Sequence, residues 1–176
     1  TSTFSFGPVS GAIVVGLPRA IVTFGTAGDG ASAGLVSAVG GNVDIDASVI
    51  VDVASEDAAE ASDNQTDVDA AVAVTTLFTT SKVGVYGASD IDADGLVDIQ
   101  AATSLMVANE ADGSGGTAGA TGAVTIVDAD TTVSVSDSSS VGSTATDGIS
   151  LAAVATSTIT TTPSPTSGGS SCRAGR

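Results

Sequence analysis

Three stretches of the chain share one pattern, in which a glycine turn is followed by alternating apolar and polar residues. They are residues 41–47 (GNVDIDA), 95–101 (GLVDIQA) and, more loosely, 148–153 (GISLAA). An alternation with a period of two is typical of a β-strand that buries one face. The pattern predicts that Val43, Val97 and Ile149 point inward on equivalent strands, as do Ile45, Ile99 and Leu151.

The spacing of these stretches indicates a repeat. Val43 and Val97 are 54 positions apart, and Val97 and Ile149 are 52 apart. Repeats of this length are typical of solenoids, propellers and arrays, in which each unit buries its apolar face against its neighbours. The sequence therefore predicts an all-β fold, a parallel β-solenoid, with repeat units at about residues 11–47, 48–103 and 104–156.

The two ends of the chain differ from the repeats. Residues 1–7 alternate before a Gly-Pro turn, which leaves open an alternative architecture, a β-sandwich subunit that donates this strand to a neighbour. Residues 157–176 are mostly Thr, Ser, Pro and Gly and have little to bury, which predicts a tail after a domain of residues 1–156. The only cysteine, Cys172, lies in this segment, so no internal disulfide is expected.

Composition favours narrow sheets over a bulky core. Hydrophobic residues make up 42% of the chain, yet only four Phe and one Tyr are aromatic, and there is no Trp. Small and β-branched side chains suit closely stacked sheets. No apolar run approaches the length that a bilayer span requires, so no membrane span is expected.

The charge is strongly negative, with 20 acidic against 4 basic residues and a net charge of −16. Nucleic-acid binding needs clustered Lys or Arg to neutralise phosphates, so the sequence excludes it. Two explanations of the acidity remain open. It can keep a protein of the cell surface or of a saline environment soluble through self-repulsion. It can also supply carboxylates for calcium.

The second repeat is similar to a known family. Residues 71–74 (AVAV), 82–86 (KVGVY) and 95–101 resemble the repeats of giant bacterial surface proteins, the filamentous-haemagglutinin-like and leukotoxin-like adhesins. The resemblance spans residues 11–157 and is closest over 42–103. The resemblance implies a right-handed parallel β-helix at a cell surface. We therefore expect an extracellular structural protein that works in adhesion, in a surface layer or in a filament. The chain is much shorter than those proteins.

The expected partner is a second copy of the chain. A solenoid has two open ends with unpaired strand edges, and residues 1–24 carry a single charge, Arg19. We therefore expect an end-to-end homopolymer, or a donor-strand homopolymer if residues 1–7 insert into a neighbour. A host or matrix surface is a further expected partner.

One acidic motif has the spacing of a calcium loop. Asp90, Asp92 and Asp94 hold positions 1, 3 and 5, a glycine holds position 6 and Asp98 holds position 9. Position 12, where a bidentate acid is needed, is Ala101. The alternative, favoured by this missing ligand, is that the four carboxylates face solvent around a tight turn. A calcium-dependent binding module is therefore the second functional hypothesis.

Catalysis has little support in the sequence. The chain has no His, which excludes a Ser-His-Asp triad and a histidine-bearing zinc site. Paired Asp residues can hydrolyse sugars, but five aromatic residues offer few platforms for sugar binding. We expect a protein that is not an enzyme.

Overall fold

The computed structural model describes residues 2–6, 9–28, 32–58, 68–113, 118–146, 148–164 and 170–175. Every regular element in these ranges is a β-strand, which confirms the all-β prediction. The strands are β1 (Ser2–Phe6), β2 (Val9–Gly16), β3 (Arg19–Phe24), β4 (Leu35–Ala38), β5 (Val43–Ala58), β6 (Val68–Val85), β7 (Asp90–Ala93), β8 (Val97–Asp112), β9 (Ala118–Val135), β10 (Ser140–Ser143), β11 (Ile149–Ser164) and β12 (Ser170–Gly175).

The strands form three sheets. Sheet A has the order β1-β2-β6-β9-β12, with β3 also beside β6; sheet B is β4-β7-β10, and sheet C is β5-β8-β11. The chain passes through A, B and C in turn and then returns to A, so neighbours within a sheet come from successive passes. All described pairs are parallel except β1 with β2, which is antiparallel.

The register of sheet C places the repeated positions side by side. Val43 pairs with Val97, and Val97 pairs with Ile149, as the spacing predicted. In β8, Val97 and Ile99 are fully buried. In β11, Ile149 and Leu151 are 45% and 52% exposed, although Val43 and Ile45 on the other edge strand, β5, are buried. The predicted burial of these positions therefore holds for β5 and β8 but is wrong for β11.

The repeated glycine has a steric reason at the corner before β8. The backbone N–H of Gly95 donates to the carbonyl of Gly41 at 2.8 Å. A Cβ at Gly95 would overlap that carbonyl oxygen and the side chain of Asn42. Asn42 itself accepts a hydrogen bond from the Leu96 N–H at 2.9 Å, which links the corners of two passes. A glycine is therefore required where one corner stacks closely on the next.

Two separate clusters fill the interior. The larger lies where the three sheets meet, and its buried members are Val43, Ile45, Ala47, Val83, Val85, Ile91, Ala93, Val97, Ile99 and Ala101. The smaller lies between sheets A and C toward the other end of their long strands, and it consists of Ala71, Ala73, Ala111 and Ala123. The cluster between two sheets is therefore made of alanine alone, while larger side chains such as Leu77 and Leu105 are buried between the two clusters.

Both chain ends join sheet A. β1 turns back on its own chain, with Ser2 beside Ile13 and Phe6 beside Val9. The segment expected to be a tail is largely strand in its described part: β11 continues to Ser164, and β12 pairs with residues 120–125 of β9. Residues 165–169 and 176 of that segment lie outside the described ranges. Thr is a good strand former, and ladder hydrogen bonds need only the backbone, so this composition can form strands.

Candidate functional surfaces

The four carboxylates of the predicted calcium motif lie on a strand and the corner after it. Asp90 and Asp92 point outward from β7 and are exposed, while Ile91 and Ala93 between them are buried. Asp94 lies in the following corner, and Asp98 is half-buried on β8. The segment starts as an extended strand, which differs from the loop that the motif implies.

Two of these carboxylates have protein partners. Asp90 Oδ1 accepts a hydrogen bond from Ser140 Oγ at 2.5 Å, and Asp94 Oδ2 accepts one from the backbone N–H of Gly40 at 2.7 Å. Among the described residues, no three His, Cys, Asp or Glu side chains form a group that could hold a metal ion. Asp90 and Asp94 therefore link neighbouring passes of the chain. Calcium binding stays a prediction, which a calcium-dependent rise in melting temperature would test.

One ion pair lies on the outer face of sheet A. Lys82 Nζ contacts Asp130 Oδ2, and both side chains are partly exposed. The hydrogen bond from Lys82 lowers the pKa of Asp130, and a second one from Thr132 Oγ1 at 2.9 Å lowers it further. Exposed pairs of this kind contribute little to stability. The pair instead matters for the charge balance of its face.

A polar network crosses the interior between sheets A and C. Asn109 is buried on β8, and its Nδ2 donates to the carbonyl of Val124 at 2.8 Å and to Thr125 Oγ1 at 3.1 Å. A longer bond of 3.4 Å reaches the carbonyl of Ala73, and Thr125 Oγ1 also bonds Thr161 Oγ1 at 3.0 Å. An amide and two hydroxyls offer no acid, base or activated nucleophile. The network joins four strands, β6, β8, β9 and β11, rather than forming a reaction centre.

This network was not predicted from the sequence, although the sequence contains a signal for it. Asn109 has the same parity along β8 as Val97, Leu105 and Ala111, which places it on the inward face. A polar residue in the inward series is a candidate for a buried hydrogen bond. Its partners could not be found in this way, because Val124 and Thr125 lie on the next pass of the chain.

At the first pass, the strand edges are covered only in part. β1 pairs with residues 9–13 of β2, on the side away from β6. Among the described strands, β3, β4 and β5 have a partner on one side only. Their backbone N–H and C=O groups on the other side are available for pairing.

The last pass mirrors this arrangement. β12 pairs with residues 120–125 of β9, and no described strand pairs with the outer side of residues 126–135, of β10 or of β11. The interior also opens here. A cavity of about 210 Å³ is lined by Leu105, Val127, Ala129, Ala155, Thr156, Ser157 and Ile159. Inward positions that earlier passes bury are half-exposed at this end, as at Leu151. The end thus combines unpaired backbone groups with an apolar opening.

No protein-family model, curated protein or solved structure matches the chain. Within the described ranges, the structure has no helix with the length and hydropathy of a membrane span.

Proposed function

We propose that the fold is a right-handed parallel β-solenoid and that the protein is an extracellular structural protein that self-associates end to end. The observation that carries the proposal is the match between the two open ends. The unpaired edges of β3, β4 and β5 lie at one end, and those of β9, β10 and β11 lie at the other. Both ends present one edge from each of sheets A, B and C, so the sheets of one molecule can continue the hydrogen-bonded ladders of the next.

The chain passes through sheets A, B and C in the same order each time, which supports a solenoid. Residues 68–85 of β6 pair in parallel with residues 118–135 of β9, a spacing of 50 with no slip along the strand. A parallel strand that returns to its own sheet by a crossover is right-handed in nearly all proteins. The handedness in the proposal rests on this rule.

Charge favours a junction between unlike ends. At the first pass, β5 presents Asp44, Asp46 and Asp52 on its outward face. At the last pass, β11 has no charged residue from Ile149 to Ser164. Two β5 edges would therefore repel, whereas β5 of one molecule meets only neutral side chains on β11 of another. Continuing the register would place Asp46 of the incoming molecule beside Ala152, because Asp46 and Ala152 both pair with Gln100.

β1 and β12 restrict this junction. β1 covers β2 at residues 9–13, which lie in register with 70–74 of β6 and 120–124 of β9, and β12 covers that same part of β9. If β11 paired with β5 of the next molecule, sheet A would have to accommodate two additional strands, roughly 10 Å of extra thickness. We infer that both covering strands must leave before the ends can meet.

The absence of histidine and the neutral interior network support a structural rather than a catalytic role. The net charge of −16 and the resemblance of residues 42–103 to adhesin repeats support a location outside the cell, at a surface. Adhesion to a host or matrix surface is part of the same proposal.

Truncation and charge substitution test the junction together. A variant that lacks residues 1–8 and 165–176 should polymerise at lower concentration than the full chain, measured by sedimentation and negative-stain imaging. In that variant, Ala152→Lys should strengthen assembly by facing Asp46, and Ala152→Asp should weaken it; salt should reduce both effects. A truncated variant that keeps its β circular dichroism but sediments as a monomer across the micromolar range would contradict the proposal.

A further inference from the structure

The outer face of sheet A carries a continuous group of exposed apolar side chains. Ile13 and Val15 of β2 are 42% and 62% exposed, Val72 and Phe78 of β6 are 41% and 44%, and Ile126 of β9 is 45%. The register places Ile13 beside Val74, and it places Thr76 between Val15 and Ile126, so the apolar positions lie in adjoining rows of the face. We call the outward side of β2, β3, β6 and β9 the sheet A face.

The sheet A face is also balanced in charge. Its described outward side chains include two cations, Arg19 and Lys82, and two acids, Asp128 and Asp130. Lys82 is paired with Asp130. A net charge near zero here is unusual in a chain whose total is −16.

The outer face of sheet C is different. Its outward charged side chains among the described residues are all acidic: Asp44, Asp46, Asp52, Asp98, Glu110 and Asp112. Two molecules that approach through sheet C would repel each other. Packing sheet C against the sheet A face of another molecule would bury carboxylates with few cations to pair them, which is costly.

We infer that the sheet A face binds the sheet A face of a second copy of this chain, in a two-fold symmetric dimer. Apolar side chains then meet apolar side chains, and the two acids of the face, Asp128 and Asp130, are balanced by its two cations, Arg19 and Lys82. Self-complementary contact of one patch with itself is the geometry of a two-fold interface. Sheets that pack face to face interdigitate their side chains about 10 Å apart.

The area of the face is sufficient for a specific dimer. Three strands of this length cover roughly 15 Å by 50 Å, or about 750 Å² per copy. Two copies would bury about 1,500 Å², which lies in the range of stable protein–protein interfaces. The contact lies on the flank of the molecule, so it is separate from the proposed junction between the ends.

The test compares two apolar-to-acid substitutions on opposite faces. The full chain should sediment as a dimer at micromolar concentration. Ile126→Asp should weaken the dimer at least about a hundredfold, because it buries an unpaired carboxylate in the interface. Met106→Asp is the matched control, since Met106 is 58% exposed on the outward face of sheet C, and it should leave the dimer intact.

Val15→Asp on β2 provides a second disrupting variant in case Ile126→Asp fails to fold, with circular dichroism as the check on folding. Ala152→Lys should not change the dimer, which separates this contact from assembly through the ends. A monomeric full chain at both low and high salt would overturn the inference. Equal dissociation by Met106→Asp and Ile126→Asp would overturn it too, as would a folded Val15→Asp that remains a dimer.

Discussion

The interior is packed with different side chains at the two ends of the cross-section, where three sheets meet and where only two sheets face each other. Where sheets A, B and C meet, the interior is filled by residues such as Val83, Ile91 and Ile99. Where only sheets A and C face each other, the buried cluster is alanine, as at Ala73 and Ala123. Three walls enclose a wider space than two, and a close-packed interior must match side-chain volume to that space.

Between these clusters, the interior combines apolar and polar side chains, and Leu77 and Val107 are buried there beside hydroxyl groups. Thr75, Thr79, Ser81, Thr103 and Asn109 are all buried there. Several of them are paired across the sheets, as when Thr131 Oγ1 donates to Thr103 Oγ1 at 2.7 Å. Hydroxyls near the size of a methyl group fit between closely facing sheets. Those of Ser81 and Thr103 supply hydrogen bonds that alanine cannot, whereas those of Thr75 and Thr79 have no hydrogen-bond partner among the described residues. The three-sheet end therefore relies on apolar burial, and the two-sheet end relies on close fit and polar contacts.

The largest expected effect is at the three-sheet end. Ile99→Ala should destabilise the fold by about 2–5 kcal/mol, since it leaves a cavity where three sheets meet. Denaturant unfolding followed by circular dichroism measures this loss. Ile50→Ala, at a position 80% exposed on β5, is the control and should change stability by less than about 0.5 kcal/mol. Equal losses in the two variants would show that Ile99 is not in a packed core.

At the two-sheet end, adding volume should do the damage. Ala123→Val inserts two methyl groups at a fully buried position of the alanine cluster and should cost about 1–3 kcal/mol in the same unfolding experiment. Ala102→Val makes the same change on the outward face of β8, where the expected effect is within about 0.5 kcal/mol. If Ala123→Val were stabilising, the space between sheets A and C would be wider than its alanine lining indicates.

The polar contacts of the two-sheet end can be tested at Asn109. Asn109→Ala removes the donor shared by Val124 and Thr125 and should cost about 1–3 kcal/mol, or less if Thr125 keeps its bond to Thr161. Glu110→Ala, the next residue on the exposed face of β8, is the control. Hydrogen exchange should show the loss of protection in β8 and β9 near this site. If hydrogen exchange and stability were both unchanged, the hydrogen bonds of Asn109 would not stabilise the two-sheet end.

The smallest expected effect is at the exposed ion pair on sheet A. It tests whether the contrast between the three-sheet end and the two-sheet end is confined to the interior. Lys82→Met should scarcely change stability at neutral pH, because the ion pair is exposed. It should raise the pKa of Asp130 toward its ordinary value, as measured by NMR titration, since the bond from Lys82 is the main cause of the lowering. Arg19→Met, which removes a charge from the same face, should shift it less.

The sign of the pH effect follows from the lowered pKa. A carboxyl group whose folded pKa lies below its unfolded value stabilises the fold above the unfolded value. That contribution disappears as the pH falls through the folded pKa. The small difference between the original chain and Lys82→Met should therefore vanish in strong acid. A difference that grows at low pH would mean that Lys82 acts through another group.

The sequence predicted the strands of sheet C well because their information is local. Alternation alone assigns Val97 and Ile99 to the inward face, and the spacing to Val43 places the strands in register. The antiparallel pairing of β1 was not predictable, since a short alternating strand does not specify its partner. The strand residues after 157 were not predicted, because linkers and edge strands can both be rich in Thr and Ser.

The candidate sites show the same limit. The Asp90–Asp98 spacing matched a calcium loop, yet Asp94 bonds the backbone of Gly40, which lies 54 residues earlier in the chain. The balance of charge on the sheet A face depends on strands from three different passes. No local sequence motif indicates this charge balance, although the outward residues of each strand can be identified once the register is known.

The equal strand lengths on successive passes have a consequence for how such a gene can change. β5, β8 and β11 each have 16 residues, and β6 and β9 each have 18. A single codon inserted within one of them would turn every later side chain of that strand to the opposite face. Duplication of a whole pass of about 50 codons would preserve every register. We expect natural length variation to occur in steps of entire passes, or in the corners and loops between strands.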